Sequence, residues 1–172
     1  MVLWMIGLSG AGKTTLSRIM YDRLKPTTPN LVILDGDVLR DLFGNDVDHS
    51  IGGRRRNAER LSHLTRFLAD QGIHVIAAVL SIFPEWQKWN RENVPGYAEV
   101  YLRVPFDILK SRNEKLYAPA LRGELKNVVG VDINFPEPEH SDLIIDNHDR
   151  DDFDTMIDQI LRIPSVAEIL KK

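Results

Sequence analysis

Cysteine is missing from the chain altogether, which excludes disulfides, thiolate metal sites and a thiol nucleophile. Long apolar runs are missing too, and no stretch approaches the ~18 residues that a membrane-spanning helix requires. Charge of one sign is not in excess: the formal net charge is -3 over 172 residues, so bulk electrostatics give no reason to expect nucleic-acid or membrane binding. The first residues run straight into an apolar stretch and a glycine-rich loop, leaving no room for a signal peptide, and a cytoplasmic location is the default expectation. His49, His63, His74, His140 and His148 show no metal-ligand spacing and read as surface or packing residues. There is no internal repeat, low-complexity stretch or linker, so residues 1–172 are expected to form a single domain.

What is present begins with Gly7-Leu8-Ser9-Gly10-Ala11-Gly12-Lys13-Thr14, a full match to the phosphate-loop pattern G-x-x-x-x-G-K-[ST]. Val2-Leu3-Trp4-Met5-Ile6 before it reads as a buried strand, and Leu16, Ile19, Met20 and Leu24 after it share one helical face. Strand, glycine loop and helix are the context the motif needs. The glycines let successive N–H groups turn toward an anion, and the new helix adds its positive end. Gly7, Ser9, Gly10, Ala11, Gly12, Lys13, Thr14 and Thr15 are therefore candidate ATP-binding residues. Lys13 is expected to reach the β- and γ-phosphates and the Thr14 hydroxyl to ligate Mg²⁺.

Along the rest of the chain, apolar runs at Leu31–Leu34, Ile73–Leu80, Ala98–Val104 and Leu143–Asp146 read as four more strands. Helical spacing follows Asp37, spans Arg54 to Gln71, surrounds Glu85 to Asn93 and runs from Phe106 to Arg112, and one or two closing helices fill Asp151 to Lys172. Gly44 to Gly53 reads as a loop. Residues 113–140 mix Lys115, Arg122 and Lys126 with prolines and no sustained period, which reads as an irregular lid. Trp86 and Trp89, three apart, read as a buried helix face. Alternating strands and helices predict an α/β fold with a five-stranded parallel sheet, helices on both faces and a lid.

Phosphate loops serve regulatory GTPases, mechanical ATPases and small kinases. The guanine-reading Asn-Lys-x-Asp is absent, the third strand ends at Leu80-Ser81 without an acid, and the chain is short for a motor. An acidic pair after strand two, an arginine-rich helix start and a basic lid suit phosphoryl transfer to a small molecule, where a lid must exclude water. Asp37 is the candidate base, Asp35 is placed to hold Mg²⁺ through water, and Arg40, one turn after Asp37, can fork onto an acceptor phosphate. The reading from another class, a non-catalytic nucleotide-binding regulatory domain, predicts ATP binding without ADP release; Asp37 and the lid cations speak against it.

These residues carry a resemblance. The phosphate loop, Leu34-Asp35-Gly36-Asp37-Val38-Leu39-Arg40, Arg54 through Arg60, Arg112-Asn113-Glu114-Lys115-Leu116-Tyr117 and Arg122-Gly123-Glu124-Leu125-Lys126 occur in the order seen in adenylylsulfate kinases, over Val2 to about Asp146. The resemblance implies a nucleoside-monophosphate-kinase-like P-loop kinase that uses Mg·ATP to phosphorylate the ribose 3′-hydroxyl of a nucleotide-type acceptor. It assigns the base role to Asp37, places Arg54, Asn57, Arg60 and Ser81 at the acceptor and Arg112 and Lys115 at the nucleotide phosphates, and makes a homodimer an expectation.

The departures from the family fall on acceptor recognition. Adenylylsulfate kinases typically clamp adenine between two phenylalanines; the matching positions here are His49 and Val128. The Asp-Arg after the first of these has become Gly53-Arg54, and the Ser-Pro after strand three has become Phe83-Pro84. Stacking on an aromatic face is worth about 1–3 kcal/mol per base, so the loss matters unless Phe83 or Phe135 moves in. A smaller base suits a less aromatic clamp. A divergent branch of the family phosphorylates cytidine diphosphoramidate in capsule O-methyl phosphoramidate biosynthesis, and that acceptor is the first expectation, with adenylylsulfate as the alternative.

Overall fold

The computed structural model describes residues 1–148 and 152–171. Five strands, β1 (Val2–Ile6), β2 (Leu31–Asp35), β3 (His74–Val79), β4 (Tyr97–Arg103) and β5 (Leu143–Asp146), form one sheet in the order β2-β3-β1-β4-β5. Every pairing is parallel. Between and after them come α1 (Lys13–Leu24), α2 (Gly36–Leu42), α3 (Ile51–Asp70), α4 (Pro84–Asn93), α5 (Phe106–Arg112), α6 (Glu114–Leu121), α7 (Phe153–Ile160) and α8 (Pro164–Ala167), with a closing 3₁₀ turn at Glu168–Lys171. Of the closing segment expected from Asp151 to Lys172, those two end residues lie outside the described residues.

Side-chain alternation along β1 explains the two-faced core. Leu3 and Met5 join Leu16 and Met20 of α1 and Met156, Ile157 and Ile160 of α7 on one face. Val2, Trp4 and Ile6 join Leu61 of α3, Leu39 of α2 and Val75, Ala77 and Val79 of β3 on the other. A strand buried on both faces must be apolar throughout, which is why its sequence reads as an unbroken run. Parallel strands place all their C-terminal ends at one edge, where open α/β sheets hold their ligands. No helix among the described residues is long and apolar enough to cross a membrane.

β3 and β4 shift by one residue at their ends from the sequence expectation, and three larger differences bear on the site. α3 starts at Ile51, inside the segment 44–53 expected to be loop, because Ser50 Oγ accepts the Gly53 amide at 3.1 Å and caps the first turn. Asp35 is the last residue of β2 rather than the first beyond it. The segment 113–140 is not irregular throughout: Glu114–Leu121 is a helix with Tyr117 and Ala120 buried. Pro119 inside it hides the periodicity, since proline removes a helical donor and usually marks an end. Beyond α6, Asp132 accepts the Asn127 and Val128 amides at 2.8 and 2.7 Å, and this turn seats Val128, Val129 and Ile133 in buried positions.

Candidate active site

The phosphate loop leaves β1 and enters α1 through Gly10 and Gly12, whose φ values of 86° and 98° lie in the left-handed region that glycine occupies freely. A Cβ on Gly12 would also sit 2.9 Å from Asn147 Nδ2. The first turn of α1 holds no acidic residue and no side-chain cap, so its positive end remains available to an anion. Gly10, Gly12, Lys13, Thr14 and Thr15 line a hollow of about 180 Å³ at the loop mouth. Gly7 and Ala11 shape the loop from beneath, Ala11 fully buried and Gly7 against the Leu102 carbonyl.

Lys13 Nζ donates to the Leu8 carbonyl at 2.9 Å. Burial pulls its ammonium down from 10.5 to about 8, opposed by the charges of Asp37 and Asp35. Thr14 Oγ1 donates to Asp35 Oδ2 at 2.9 Å, and Asp35 Oδ1 accepts the Asp37 amide at 2.9 Å. Asp35 thus caps α2 and faces the loop at the same time. A hydroxyl beside a carboxylate is a hard oxygen pair that suits Mg²⁺ bound largely by phosphates and water; no cluster of three or more His, Cys, Asp or Glu exists among the described residues to hold an ion without them.

Beside the loop opens a cavity of about 710 Å³ lined by Ser9, Gly10, Lys13, Thr14, Asp35, Asp37, Arg40, His49, Arg54, Asn57, Ser81, Lys115 and Val128 among others. The structure therefore brings most of the proposed ATP and acceptor residues to one space at the strand ends. Arg40 is buried, with 7% of its side chain exposed, and its Nη1 meets Asp37 Oδ1 at 2.9 Å, while the Asp37 side chain is 89% exposed. Arg40 Nε has no hydrogen-bond partner among the described residues. Arg54 spans two walls, donating to the His49 carbonyl at 2.8 Å and the Asn127 carbonyl at 2.9 Å. Burial and the Arg40 charge hold Arg54 below the ordinary arginine value, and burial with Arg40 and Arg54 does the same to His49. Asn57 Nδ2 donates to the Gly36 carbonyl at 3.2 Å, fixing the turn between the two aspartates.

Two expected site residues lie elsewhere. Arg60 does not line the cavity: it forms a bidentate pair with Asp46 at 2.9 and 2.7 Å and stacks over Phe43 at 4.5 Å. Arg112 lies beside Gly10 but lines neither the hollow nor the cavity, and donates to the Asn147 and His148 carbonyls at 3.0 and 2.6 Å. Arg55 is also drawn off, onto Glu85 and over the Phe83 ring at 4.6 Å, so of the run at 54–56 only Arg54 lines the cavity. Of the two candidate replacement rings, Phe83 lines the cavity and Phe135 does not, packing 5.9 Å from Tyr101. Gly53 is required where it stands, since a Cβ there would collide with the Asp48 backbone.

Sequence reasoning missed Trp86, read as helix packing alone. Its ring lies edge-on to His63 and Trp89, both at 5.6 Å, yet it also lines the cavity. Its place three residues after Phe83, itself a departure from the family pattern, was the available signal. Ser81 was foreseen but not its backbone: with φ at 53° it bends the chain into the cavity, and Gln87 Nε2 holds its carbonyl at 2.9 Å.

The Adenylylsulphate kinase family model matches residues 1–146. The chain belongs to the adenylylsulphate kinase family. Among its relatives, the cytidine diphosphoramidate kinase of Campylobacter jejuni is 38% identical over 94% of each chain. The adenylyl-sulfate kinase of Paraburkholderia xenovorans is 38% identical over 93% of this chain and 90% of its own. The Mycobacterium tuberculosis APS kinase, solved in complex with AMPPNP and APS, superposes with a TM-score of 0.82 at 27% identity, covering 99% of this chain and 97% of its own. As a member of this family the protein is an ATP-dependent phosphotransferase with the P-loop kinase fold, acting on a nucleotide-type substrate.

Proposed function

We propose that this kinase transfers the γ-phosphoryl group of ATP to the ribose 3′-hydroxyl of cytidine diphosphoramidate, in capsule O-methyl phosphoramidate biosynthesis. The observation that carries the choice of acceptor is the cavity wall. His49 and Val128 line it where the family's phenyl pair is expected, while the loop, Asp35, Asp37 and Arg40 stand intact around the phosphate side. An imidazole and an aliphatic side chain on the wall offer less stacking area than two phenyl rings, which disfavours a purine more than a pyrimidine.

Asp37, in the cavity and exposed, accepts the proton of the attacking hydroxyl as its oxygen bonds to the γ-phosphorus and the bond to the β–γ bridging oxygen breaks. ADP leaves with that oxygen. Arg40 orients Asp37 and binds the acceptor diphosphate, Lys13 neutralises charge on the β- and γ-phosphates, and Lys115 closes the far side. Mg²⁺ would be held by Thr14 and, through water, Asp35, and would supply further charge neutralisation on the phosphates.

Adenylylsulfate is the second reading. Trp86 on the wall favours it, because an indole ring lining the cavity can receive an adenine face. Steady-state turnover on the two acceptors side by side separates the readings.

A further inference from the structure

A phosphate loop binds anions only while its amides point inward and its carbonyls point away. Carbonyls turned toward protein need donors of their own, so something must hold the outer side of the loop. Lys13 Nζ and the Ala11 amide both reach the Leu8 carbonyl, at 2.9 and 3.1 Å. The next donors come from more than 100 residues away in sequence. Tyr117 Oη, on α6, donates to the Ser9 carbonyl at 2.9 Å. Asn147 Nδ2, directly after β5, donates to the Ala11 carbonyl at 2.8 Å.

Both donors are themselves fixed. Tyr117 is 0% exposed and Asn147 1%. The Tyr117 ring is edge-on to Phe106 at 5.2 Å. The Asn147 amide donates to the Arg103 carbonyl at 3.0 Å, and its own carbonyl accepts Arg112 Nη1 at 3.0 Å.

We infer that Tyr117 and Asn147 are positioning residues for ATP: they set the phosphate loop from behind by holding the Ser9 and Ala11 carbonyls outward. Arg112, donating to the Asn147 carbonyl, supports that residue. Tyr117 has a second consequence. It belongs to the helix that brings Lys115 and Leu116 to the cavity wall, so one hydrogen bond sets the loop and the first lid helix relative to each other. The inference rests on the chain being an ATP-dependent kinase of its family and is independent of which acceptor it uses.

The test is Tyr117→Phe, which deletes the hydroxyl and keeps the buried ring. Dissociation constants for Mg·ATP and for inorganic tripolyphosphate are measured by calorimetry, with the melting temperature and the acceptor KM alongside. Both dissociation constants should rise by about three- to tenfold, the worth of one hydrogen bond, while the acceptor KM stays within about twofold. Asn147→Asp, which turns the donor into an acceptor facing the Ala11 carbonyl, should weaken both ligands further. Unchanged ATP affinity in Tyr117→Phe overturns the inference. So does a loss for ATP that tripolyphosphate does not share, or an equal loss for the acceptor, since either would mean general loosening and not a mis-set loop.

Discussion

Replacing Arg40 with methionine separates acceptor binding from ATP binding. Among the described residues the guanidinium, with 7% side-chain exposure, pairs with Asp37 at 2.9 Å and its Nε has no hydrogen-bond partner. A buried cation so incompletely satisfied is poised for a second anion. At an effective dielectric of about 20, unit charges 4 Å apart interact by about 4 kcal/mol, of which a charge-assisted hydrogen bond retains about 1.5–3 kcal/mol after desolvation. Arg40→Met should therefore raise the acceptor KM by about 10- to 150-fold. The fold should tolerate the change, because an apolar side chain of similar length replaces a buried charge and the Asp37 it leaves behind is 89% exposed. Mg·ATP affinity should move by less than about twofold, since Lys13 and the loop amides are untouched. Steady-state kinetics with each substrate varied in turn, paired with a melting curve, reads all three quantities. An acceptor KM within threefold of the unmodified enzyme would refute the assignment of Arg40 to the acceptor; an equal rise in both KM values would mean that Arg40 holds the fold of the site and not the substrate.

Two further outcomes follow from the same geometry. Because burial lowers the Lys13 value to about 8 and bound phosphates favour its charged form, Mg·ATP affinity should be full below that pH and fall by up to about tenfold per unit above it, with proton uptake on binding visible by calorimetry in two buffers. Native stability runs the opposite way. The unfolded lysine holds its proton up to 10.5 while the folded one loses it near 8, so this group's contribution to stability rises with pH between those values. An ATP affinity flat from pH 7 to 9.5 would remove Lys13 from the phosphate site. His49→Phe restores one ring of the family's clamp and should raise kcat/KM on adenylylsulfate relative to cytidine diphosphoramidate by at least about fivefold, the lower end of one stacking contact; an unchanged ratio would show that the base does not lie against residue 49.

The phosphate loop and the strands were legible because each is encoded locally: left-handed glycines at 10 and 12, the unbroken apolar runs of β1 and β3, buried along almost their whole length, and the shorter apolar runs within the half-buried edge strands β2 and β5 and within β4. Asp35, Asp37 and Arg40 were legible because a strand end and a single helical turn fix their relation. The failures share a different cause. Arg60 carries the right charge at the right spacing, but Asp46, fourteen residues earlier in a loop, captures it. Arg112 is likewise drawn to carbonyls at the end of β5, a contact 35 residues away. Partners set by tertiary structure leave no trace in local spacing. Helix α6 was hidden by Pro119, a residue that argues against helix in sequence yet sits within one here. Trp86 shows the limit of periodicity: the same spacing that packs it against Trp89 also turns it to the cavity, and spacing alone does not separate the two.

The most direct test of the central claim is ADP release from Mg·ATP with cytidine diphosphoramidate and adenylylsulfate offered in parallel, and Asp37→Asn run beside the unmodified enzyme. Release should depend on the acceptor and be faster on the cytidine compound, with phosphate on the 3′-oxygen of the product and a kcat lower by about 10²- to 10⁴-fold in Asp37→Asn. Faster turnover of adenylylsulfate would contradict the reading of the His49 and Val128 wall, and full activity in Asp37→Asn would contradict the assignment of the base.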